Sequence, residues 1–380
     1  MRFVIHRDVF AEAVSFAVKL LPQRSTLPIL TGVRIEAAAG KVTLSTFDYE
    51  VSATTSVDAD VETEGTVLVS GRLLSDIAGR LPQREIVVEE TDGIVKVTCG
   101  SAKFTLLKMP IEEYPTLPEV AGRTGVVPGS DFAEAVAQVA VAASREDVTP
   151  VITGVQLEAS DTRLSLIATD RYRVSVRSIP WDAGDDTDVL TALVPARTIS
   201  EVGRTFGSAA QISITMSEQG ERQQIAFSAG DKTVTSLLIK GNYPPVRRLF
   251  PTETPHHAVL NTAELVEATR RVQLVLEREA ALRCTFEEGQ VTLEAIGSEQ
   301  AQAQESVDAV LAGDDIVLSI KPQFLLDGLG ATHSEFVRVA FTRSETTNKP
   351  GPMLITGQTS RDDAEATSFQ YLLQPNLLLR

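Results

Sequence analysis

The chain of 380 residues repeats one pattern of segments three times. Residues 10–14 and 132–136 both read FAEAV, and residues 265–269 carry a looser version, LVEAT. Farther along, residues 29–33 read ILTGV and residues 151–155 read VITGV. The repeat length of about 120–130 residues is that of a domain, far above the roughly 20–50 residues of a solenoid repeat. We therefore expect three copies of one domain, an arrangement that suits a scaffold better than an enzyme with one cleft.

Composition is that of an ordinary globular protein, with 43% hydrophobic and 23% charged residues. No segment approaches the roughly 18 consecutive apolar residues of a membrane span, and the first residues lack the apolar core of an export signal. Cys99 and Cys284 fall in strand-like segments of different repeats, where we expect reduced thiols in a core. These features predict a cytoplasmic protein.

The formal net charge of −16 argues, taken alone, against a nucleic-acid partner. Net charge describes the average field, however, whereas binding depends on where the cations lie. Any one cation on a predicted helix can equally be an ordinary solvated side chain. The candidates on or beside the predicted helices are Lys19, Arg24, Arg72, Arg80, Arg145, Arg197, Arg204, Arg270, Arg271 and Lys321.

Hydrophobic periodicity predicts the same order of elements in each repeat: helix, strands, helix, strands. Apolar residues at helical spacing predict opening helices over residues 8–21 and 130–143. Much of the remainder alternates apolar and polar residues, which is typical of half-buried antiparallel strands. The fold class is therefore α+β, with two helices packed on antiparallel sheets in each domain. The second helices are predicted over residues 71–77, 196–202 and 322–328.

Proline-containing segments that cannot continue a central strand separate the repeats. They predict three domains, over residues 1–122, 123–252 and 253–380.

Motifs of catalysis and metal binding are absent from the sequence. It contains no phosphate-binding glycine loop, no dinucleotide fingerprint and no HExxH, CxxC or GxSxG. The one pair of adjacent histidines, His256 and His257, lies in a predicted linker and does not face one site. We therefore expect no metal, no cofactor and no catalytic residue. A catalytic set assembled from distant positions would leave no such motif.

The order of elements and four segments resemble the bacterial sliding clamp, the β subunit of the replicative DNA polymerase III holoenzyme. The segments are TLPIL at residues 26–30, TDRYR at 169–173, YPPVRRLFP at 243–251 and YLLQP at 371–375. The resemblance covers essentially the whole chain, including the threefold repeat. It is to an actinobacterial type of clamp with a divergent C-terminus.

This resemblance implies a non-catalytic processivity factor that forms half of a six-domain ring. Two chains would join head to tail as a homodimer, with sheets outside and helices around duplex DNA. A sliding ring needs weak phosphate contacts without sequence preference. The implied partners also include the replicative polymerase, the clamp loader and repair proteins, which bind through short peptides. A nucleoid-associated location without membrane contact follows.

The resemblance also assigns three sets of site residues. It implies DNA contacts at Arg24, Arg72 and Arg197, and a dimer interface of Phe104 and Leu106 on one protomer against Leu274 and Val275 on the other. A hydrophobic peptide-binding pocket between the second and third domains would be lined by Ile152, Thr169, Arg171, Tyr172, Arg173, Val174, Pro244, Arg248, Leu249, Leu372, Gln374, Pro375 and Asn376. Val174, Leu249 and Leu372 can equally be core residues.

The C-terminus departs from the family pattern, which commonly has methionine before the proline of the pocket. Gln374 and Asn376 bring amides that cost about 1–3 kcal/mol each if they are buried without partners. Either the ligand preference has changed or these amides bond to backbone groups. Three classes of function stay open: a processivity clamp; a divergent second copy with altered pocket selectivity, inhibitor-resistant or a decoy that no longer loads on DNA; and an unrelated enzyme on a repeated scaffold.

Overall fold

The computed structural model describes residues 1–21, 25–160, 162–183, 189–217, 223–277, 280–296, 301–343, 350–363 and 366–375. The chain divides into two compact units. The first unit consists of residues 1–133 and 181–238, and the second of residues 134–180 and 239–380. None of the helices in the described ranges is long and apolar enough to cross a membrane.

The first repeat contains helices α1 (Arg7–Val18) and α2 (Gly71–Ala78). Its strands are β1 (Arg2–His6), β2 (Gly32–Ala38), β3 (Lys41–Phe47), β4 (Val51–Asp58), β5 (Asp60–Thr63), β6 (Gly65–Ser70), β7 (Glu85–Thr91), β8 (Ile94–Cys99) and β9 (Ala102–Leu107).

The second repeat contains helices α3 (Gly129–Ala140) and α4 (Ala196–Phe206). Its strands are β10 (Arg123–Pro128), β11 (Gly154–Ser160), β12 (Arg163–Thr169), β13 (Arg173–Pro180), β14 (Leu190–Pro195), β15 (Gln211–Met216), β16 (Gln224–Ala229) and β17 (Lys232–Leu237).

The third repeat contains helices α5 (Thr262–Val272) and α6 (Pro322–Thr332). Its strands are β18 (His257–Asn261), β19 (Leu282–Glu287), β20 (Gln290–Ile296), β21 (Gln302–Ala312), β22 (Ile316–Ile320), β23 (Phe336–Arg343), β24 (Pro350–Gln358) and β25 (Ala366–Leu373). The α+β class is confirmed. The order of helix, strands, helix and strands recurs in all three repeats, but the prediction that each repeat opens with a helix is wrong, because a strand, β1, β10 or β18, precedes each first helix.

The strand pairs of both units are antiparallel, as the period-2 patterns predict. The first unit has a sheet in the order β5-β1-β7-β8-β9 and a larger sheet in the order β10-β15-β16-β17-β4-β3-β2-β6. The second unit contains the order β11-β12-β13-β25-β24-β23-β18-β21-β20-β19-β22.

Successive repeats share strand pairs of one kind. The last strand of the second repeat, β17, pairs with β4 of the first repeat, with Thr235 opposite Ser52. The last strand of the third repeat, β25, pairs with β13 of the second repeat, with Leu373 opposite Arg173. The corresponding strand of the first repeat, β9, lies at the edge of its sheet and pairs with β8.

The duplicated FAEAV segments contribute both to cores and to contacts between repeats. Phe10 and Phe132 are fully buried. In the first unit, Glu12 accepts a hydrogen bond from the Lys232 ammonium at 2.6 Å. In the second unit, a carboxylate oxygen of Glu134 lies 3.0 Å from Nδ1 of His333, the C-cap residue that follows α6. The two FAEAV segments therefore have the same structural role: each places a phenylalanine in a core and a glutamate in contact with the following repeat.

The two cysteines are free thiols in cores, as expected. Cys99 packs in the core of the first repeat and Cys284 in that of the third. Burial raises the pKa of the Cys284 thiol to about 12, which leaves it protonated and unreactive at neutral pH.

Candidate functional site: a groove beside helix α6

A groove of about 590 Å³ in the second unit lies beside the first two turns of α6. Its size is within the range of small-ligand sites. Its walls come from the segment that follows α3, from the turn between β12 and β13, and from α6. The lining residues are Ala143, Ser144, Arg145, Glu146, Ile152, Asp170, Arg171, Tyr172, Arg173, Lys321, Gln323, Phe324 and Asp327.

The turn between β12 and β13 is shaped by the side chain of Asp170. Its Oδ1 accepts hydrogen bonds from the backbone N–H groups of Tyr172 and Arg173, both at 3.1 Å. Such a turn tolerates a residue in the left-handed region. Arg171 occupies that position with φ of 78°, and its Nη2 donates to Thr149 Oγ1 at 2.7 Å.

Arg173 is the buried centre of a polar network below the groove. Its guanidinium donates from Nε to Asp170 Oδ2 at 2.9 Å and from Nη1 to Asp327 Oδ2 at 2.5 Å. It also donates to the Tyr371 hydroxyl at 3.1 Å and to the Val141 carbonyl at 2.6 Å. The network joins α6 and β25 of the third repeat to the turn of the second repeat.

Burial and charge act oppositely on the pKa values of this network. Burial lowers the pKa of the Arg173 guanidinium, but Tyr371, Asp327 and Asp170 more than offset this effect, and the pKa lies above its ordinary value. Burial raises the pKa of the Tyr371 hydroxyl. That hydroxyl therefore keeps its proton and donates it to the Phe324 carbonyl oxygen at 2.8 Å.

An aromatic pair forms the apolar part of the groove. The rings of Tyr172 and Phe324 stack with centroids 6.1 Å apart and an interplanar angle of 30°. The Arg173 guanidinium carbon lies 4.4 Å from the Phe324 centroid, and Lys321 Nζ lies 5.3 Å from it. Tyr172 is 61% exposed, so a ligand in the groove can cover an aromatic face.

The structure brings four of the predicted pocket residues into this groove: Ile152, Arg171, Tyr172 and Arg173. The α6 wall was not predicted. The sequence signal for this wall was the predicted second helix of the third repeat, over residues 322–328, which contains Phe324 and Asp327.

The other predicted pocket residues are not among the lining of the groove. Thr169 is buried, and its hydroxyl donates to the Arg173 carbonyl at 2.7 Å. Val174 and Leu372 are buried in a small apolar cluster, the core alternative considered for them. Arg248 and Leu249 are exposed in a short 3₁₀ segment, Val246–Leu249, and Pro244 just before it is partly buried.

The side-chain amide of Gln374, near the C-terminus, is exposed rather than buried. The backbone N–H of this residue donates to the Tyr172 carbonyl at 2.8 Å. Pro375 is buried, and Asn376 lies outside the described residues. The penalty for a buried, unpaired glutamine amide therefore does not arise at residue 374.

Two of the three predicted DNA-contact residues are described, and both are exposed at equivalent places. Arg72 is the second residue of α2 and Arg197 the second residue of α4, and neither forms an ion pair among the described residues. Arg24 lies outside the described residues. Five of the other seven candidate cations are held by carboxylates, in the pairs Lys19–Glu201, Arg80–Asp76, Arg204–Glu201, Arg270–Glu267 and Arg271–Glu305.

The predicted interface residues differ in what they offer to a second copy. Phe104 is 40% exposed on β9, and Leu274 is 81% exposed just after α5. Val275 is partly buried against the core of the third repeat. Leu106 is 2% exposed and packs in the core of the first repeat, so its side chain has little surface to offer. The exposed leucine of this strand is Leu107.

Among the described residues, no group of three or more His, Cys, Asp or Glu side chains could hold a metal ion. The groove offers charged groups, hydrogen-bonding groups and aromatic faces for recognition.

Comparisons with known proteins match the whole length of this architecture. Models of the N-terminal, central and C-terminal domains of the DNA polymerase III beta subunit match residues 1–118, 126–245 and 247–364. The beta sliding clamp of Streptomyces coelicolor is 45% identical over 377 residues, 99% of each chain. A beta sliding clamp homolog of Streptomyces muensis, GriR, is 38% identical over 99% of each chain.

The solved structures give the same answer. A DnaN sliding clamp from Pseudomonas aeruginosa, crystallised with griselimycin, superposes with a TM-score of 0.90 at 25% identity over 100% of both chains. The three matched domains and the full-length similarity establish that the chain belongs to the family of the DNA polymerase III β subunit, the bacterial sliding clamp.

Proposed function

We propose that the chain is a DNA polymerase processivity factor that works as a homodimeric ring around duplex DNA. It tethers the replicative polymerase, the clamp loader and repair proteins through short peptides, and it performs no catalysis. We propose a cytoplasmic location in association with the nucleoid. We assign its domains to residues 1–122, 123–252 and 253–380. The observation that carries the proposal is the strand pairing between successive repeats. Within one chain, β9 of the first repeat and residues 302–308 of the third repeat each keep one strand edge unpaired among the described residues.

Strand addition supplies the geometry for closing the ring. β17 adds to β4 and β25 adds to β13 within the chain, whereas β9 lies at a sheet edge. In the third repeat, β21 pairs with β20 through residues 302–308 and with β18 through residues 309–312. In the described part of the chain, the other edge of residues 302–308 has no partner strand. A head-to-tail dimer would add β9 of one protomer to this edge of the other.

The repeats also define the register of that contact. Hairpins β8–β9 and β16–β17 turn at equivalent glycines, Gly100 and Gly230, with φ of 58° and 59°. Thr105 and Thr235 each lie five residues after that glycine and are therefore equivalent positions. Hairpins β3–β4 and β20–β21 likewise match Ser52 to Gln302. Because Thr235 lies opposite Ser52, Thr105 should lie opposite Gln302 of the second protomer.

A cysteine pair can test this register. Opposite residues of antiparallel strands have Cα atoms about 4.5–5.5 Å apart, within the range that a disulfide spans. We expect the variant with Thr105→Cys and Gln302→Cys to form a covalent dimer under mild oxidation. The native thiols are buried and should not interfere. Lys103→Cys with Gln302→Cys, two residues out of register, is the matched control. Equal cross-linking of both variants would contradict the register.

DNA contact is assigned to Arg24, Arg72 and Arg197. Retention on DNA comes from the closed ring, so a protein with a net charge of −16 can hold DNA through a few local cations. Arg72 and Arg197 suit this role because both are exposed at equivalent helix starts and neither is held by a carboxylate among the described residues.

Loading onto nicked circular DNA by a clamp loader tests function and assignment together. Replacing Arg24, Arg72 and Arg197 with glutamine should reduce the slope of log affinity against log salt by about 3, since each phosphate contact contributes about 0.9. The control replaces Arg80, Arg204 and Arg270, which carboxylates hold. It should change the slope much less. Unchanged loading of the first variant in low salt would refute the assignment.

The peptide site is assigned to the groove beside α6 together with the remaining predicted pocket residues. Exposed Tyr172 and Leu249, with partly buried Phe324 of α6, supply apolar surface for a peptide anchor. Arg171, Arg248 and Gln374 supply polar groups around it. An apolar site with a few polar groups is the usual chemistry for binding a short peptide.

A divergent second copy with altered pocket selectivity is the second candidate. The exposed Gln374 beside Tyr172 favours it, since a polar residue there can penalise one ligand more than another. The identity of 45% to the Streptomyces coelicolor clamp, against 38% to GriR, supports the first candidate more strongly. Dimerisation without loading on DNA would favour a decoy clamp.

A further inference from the structure

We propose that two acidic side chains, Glu201 on α4 and Asp76 on α2, keep the contacts with DNA weak by holding the cations that flank them. The inference rests on the proposed function, a ring that slides on duplex DNA, and it assigns a role to residues that oppose DNA binding. A sliding ring needs weak phosphate contacts, and a carboxylate that competes with phosphate for the same cation weakens them directly.

In α4, an acidic residue lies between two arginines on one side of the helix. Arg197, Glu201 and Arg204 are its second, sixth and ninth residues, and residues three or four apart are neighbours on a helix surface. Glu201 Oε1 lies 2.5 Å from Nζ of Lys19, which follows α1, and Glu201 Oε2 lies 3.4 Å from Arg204 Nη1. One carboxylate thus holds two candidate cations, one helical turn away from an arginine that is assigned to DNA contact.

The carboxylate of this cluster is covered, whereas its cations are exposed. The side chain of Glu201 is 16% exposed, against 46% for Lys19 and 73% for Arg204. Thr205 Oγ1 also donates to Glu201 Oε1, at 3.4 Å, which helps to keep the carboxylate in place. A phosphate can therefore reach both cations, but it must compete with a carboxylate that accepts from the same N–H groups. Because exposed ion pairs are weak, the phosphate can win this competition, but with a small net gain.

The same charge pattern recurs in the first repeat. Arg72 is the second residue of α2 and Asp76 the sixth, and Arg80 Nη1 lies 3.2 Å from Asp76 Oδ1. The third repeat differs, because the second residue of α6 is Gln323, and the acid at its sixth position, Asp327, binds a buried arginine instead. An acid that holds exposed cations thus accompanies the two helices whose second residue is an arginine assigned to DNA contact.

Glu201→Gln tests the inference, since it removes the charge, keeps the size of the side chain and should therefore fold. In the loading assay on nicked circular DNA, it should steepen the slope of log affinity against log salt by up to about 1.8, because Lys19 and Arg204 each become free to add a contact worth about 0.9. Adding Lys19→Gln and Arg204→Gln should abolish this gain. Single loaded rings tracked on a long duplex should diffuse more slowly than the unmodified ring at low salt, and equally fast at high salt.

Asp76→Asn provides an independent variant in the first repeat. It frees one cation, Arg80, and should steepen the slope by up to about 0.9.

Glu264→Gln is the matched control for Glu201→Gln. Glu264 is exposed in the first turn of α5 and forms no ion pair in the part of the chain that the structure describes. The change removes one negative charge without releasing a cation, so the slope and the diffusion should stay as they are in the unmodified chain.

Two outcomes would overturn the inference and leave the sliding ring standing. One is an unchanged slope and unchanged diffusion for Glu201→Gln, and the other is an equal steepening by Glu201→Gln and Glu264→Gln, which would show a general effect of net charge. If the unmodified chain does not load onto DNA, the proposed function fails, and the inference fails with it.

Discussion

Replacing Asp327 with alanine should lower the free energy of unfolding by about 3 kcal/mol, because it leaves a buried guanidinium short of one of its two carboxylates. Arg173 is 7% exposed and cannot turn to water to replace the lost oxygen. Asp170 still neutralises part of its charge, which places the expected loss at the lower end of the roughly 3–5 kcal/mol for a broken buried pair. Denaturant unfolding followed by circular dichroism measures the change.

The second repeat offers a matched control for this variant. Glu201 holds the same place in α4 as Asp327 holds in α6, the sixth residue of the helix. Its partners Lys19 and Arg204 are 46% and 73% exposed in their side chains, so Glu201→Ala should destabilise by less than about 1 kcal/mol. A loss as large for Glu201→Ala as for Asp327→Ala would show that burial of Arg173 is not the cause.

Replacing Phe132 with alanine should lower the free energy of unfolding by about 4 kcal/mol, since the change removes a fully buried ring and leaves a cavity. The ring packs against Phe227, with centroids 5.8 Å apart. Phe10 fills the same place in the first repeat and packs against Phe3 at 6.1 Å. Phe10→Ala should therefore have a similar effect on the transition of its own domain.

An exposed apolar residue provides the control for these core substitutions. Leu27 is 51% exposed, and Leu27→Ala should change the free energy of unfolding by no more than about 0.5 kcal/mol. Domains can unfold in separate steps, so each transition is fitted by itself. An effect of Phe132→Ala below about 1 kcal/mol, beside a large effect of Phe10→Ala, would contradict the equivalence of the two FAEAV segments.

The repeat and the helical periodicity sufficed to predict the two helices of each repeat, but not the strand that precedes each first helix or the ends of the first helices. Predictions of residues 8–21 and 130–143 extend three residues past the observed ends at Val18 and Ala140. The cause is burial beyond the helix: Leu21 and Ala143, each 8% exposed, continue the apolar pattern into the following turn. Periodicity reports burial, and burial does not stop where helical hydrogen bonding stops.

The site was less predictable because its contacts are distant in sequence. Arg173 and Asp327 are 154 positions apart, and neither residue signals by its type that the other is its partner. Matching to the family assigned the turn residues to the groove but missed α6 with Phe324 and Lys321. The resemblance also assigned Leu106 to the interface, although its side chain packs in the core of the first repeat. Sequence alone cannot separate the exposed and buried positions of a strand whose neighbours are unknown.

The strand pairs between repeats have a consequence for how the ring opens. β17 and β25 reach their partner strands while tethered by the chain itself, which holds the two surfaces at an effective concentration in the millimolar range for a short linker. The same kind of strand pair between protomers has no covalent tether, so its formation depends on the concentration of free protomer in solution. A ring built from equivalent joints thus has two weak points, set by connectivity rather than by contact chemistry. When one of them separates, the other keeps both protomers together, so the ring can open without falling apart.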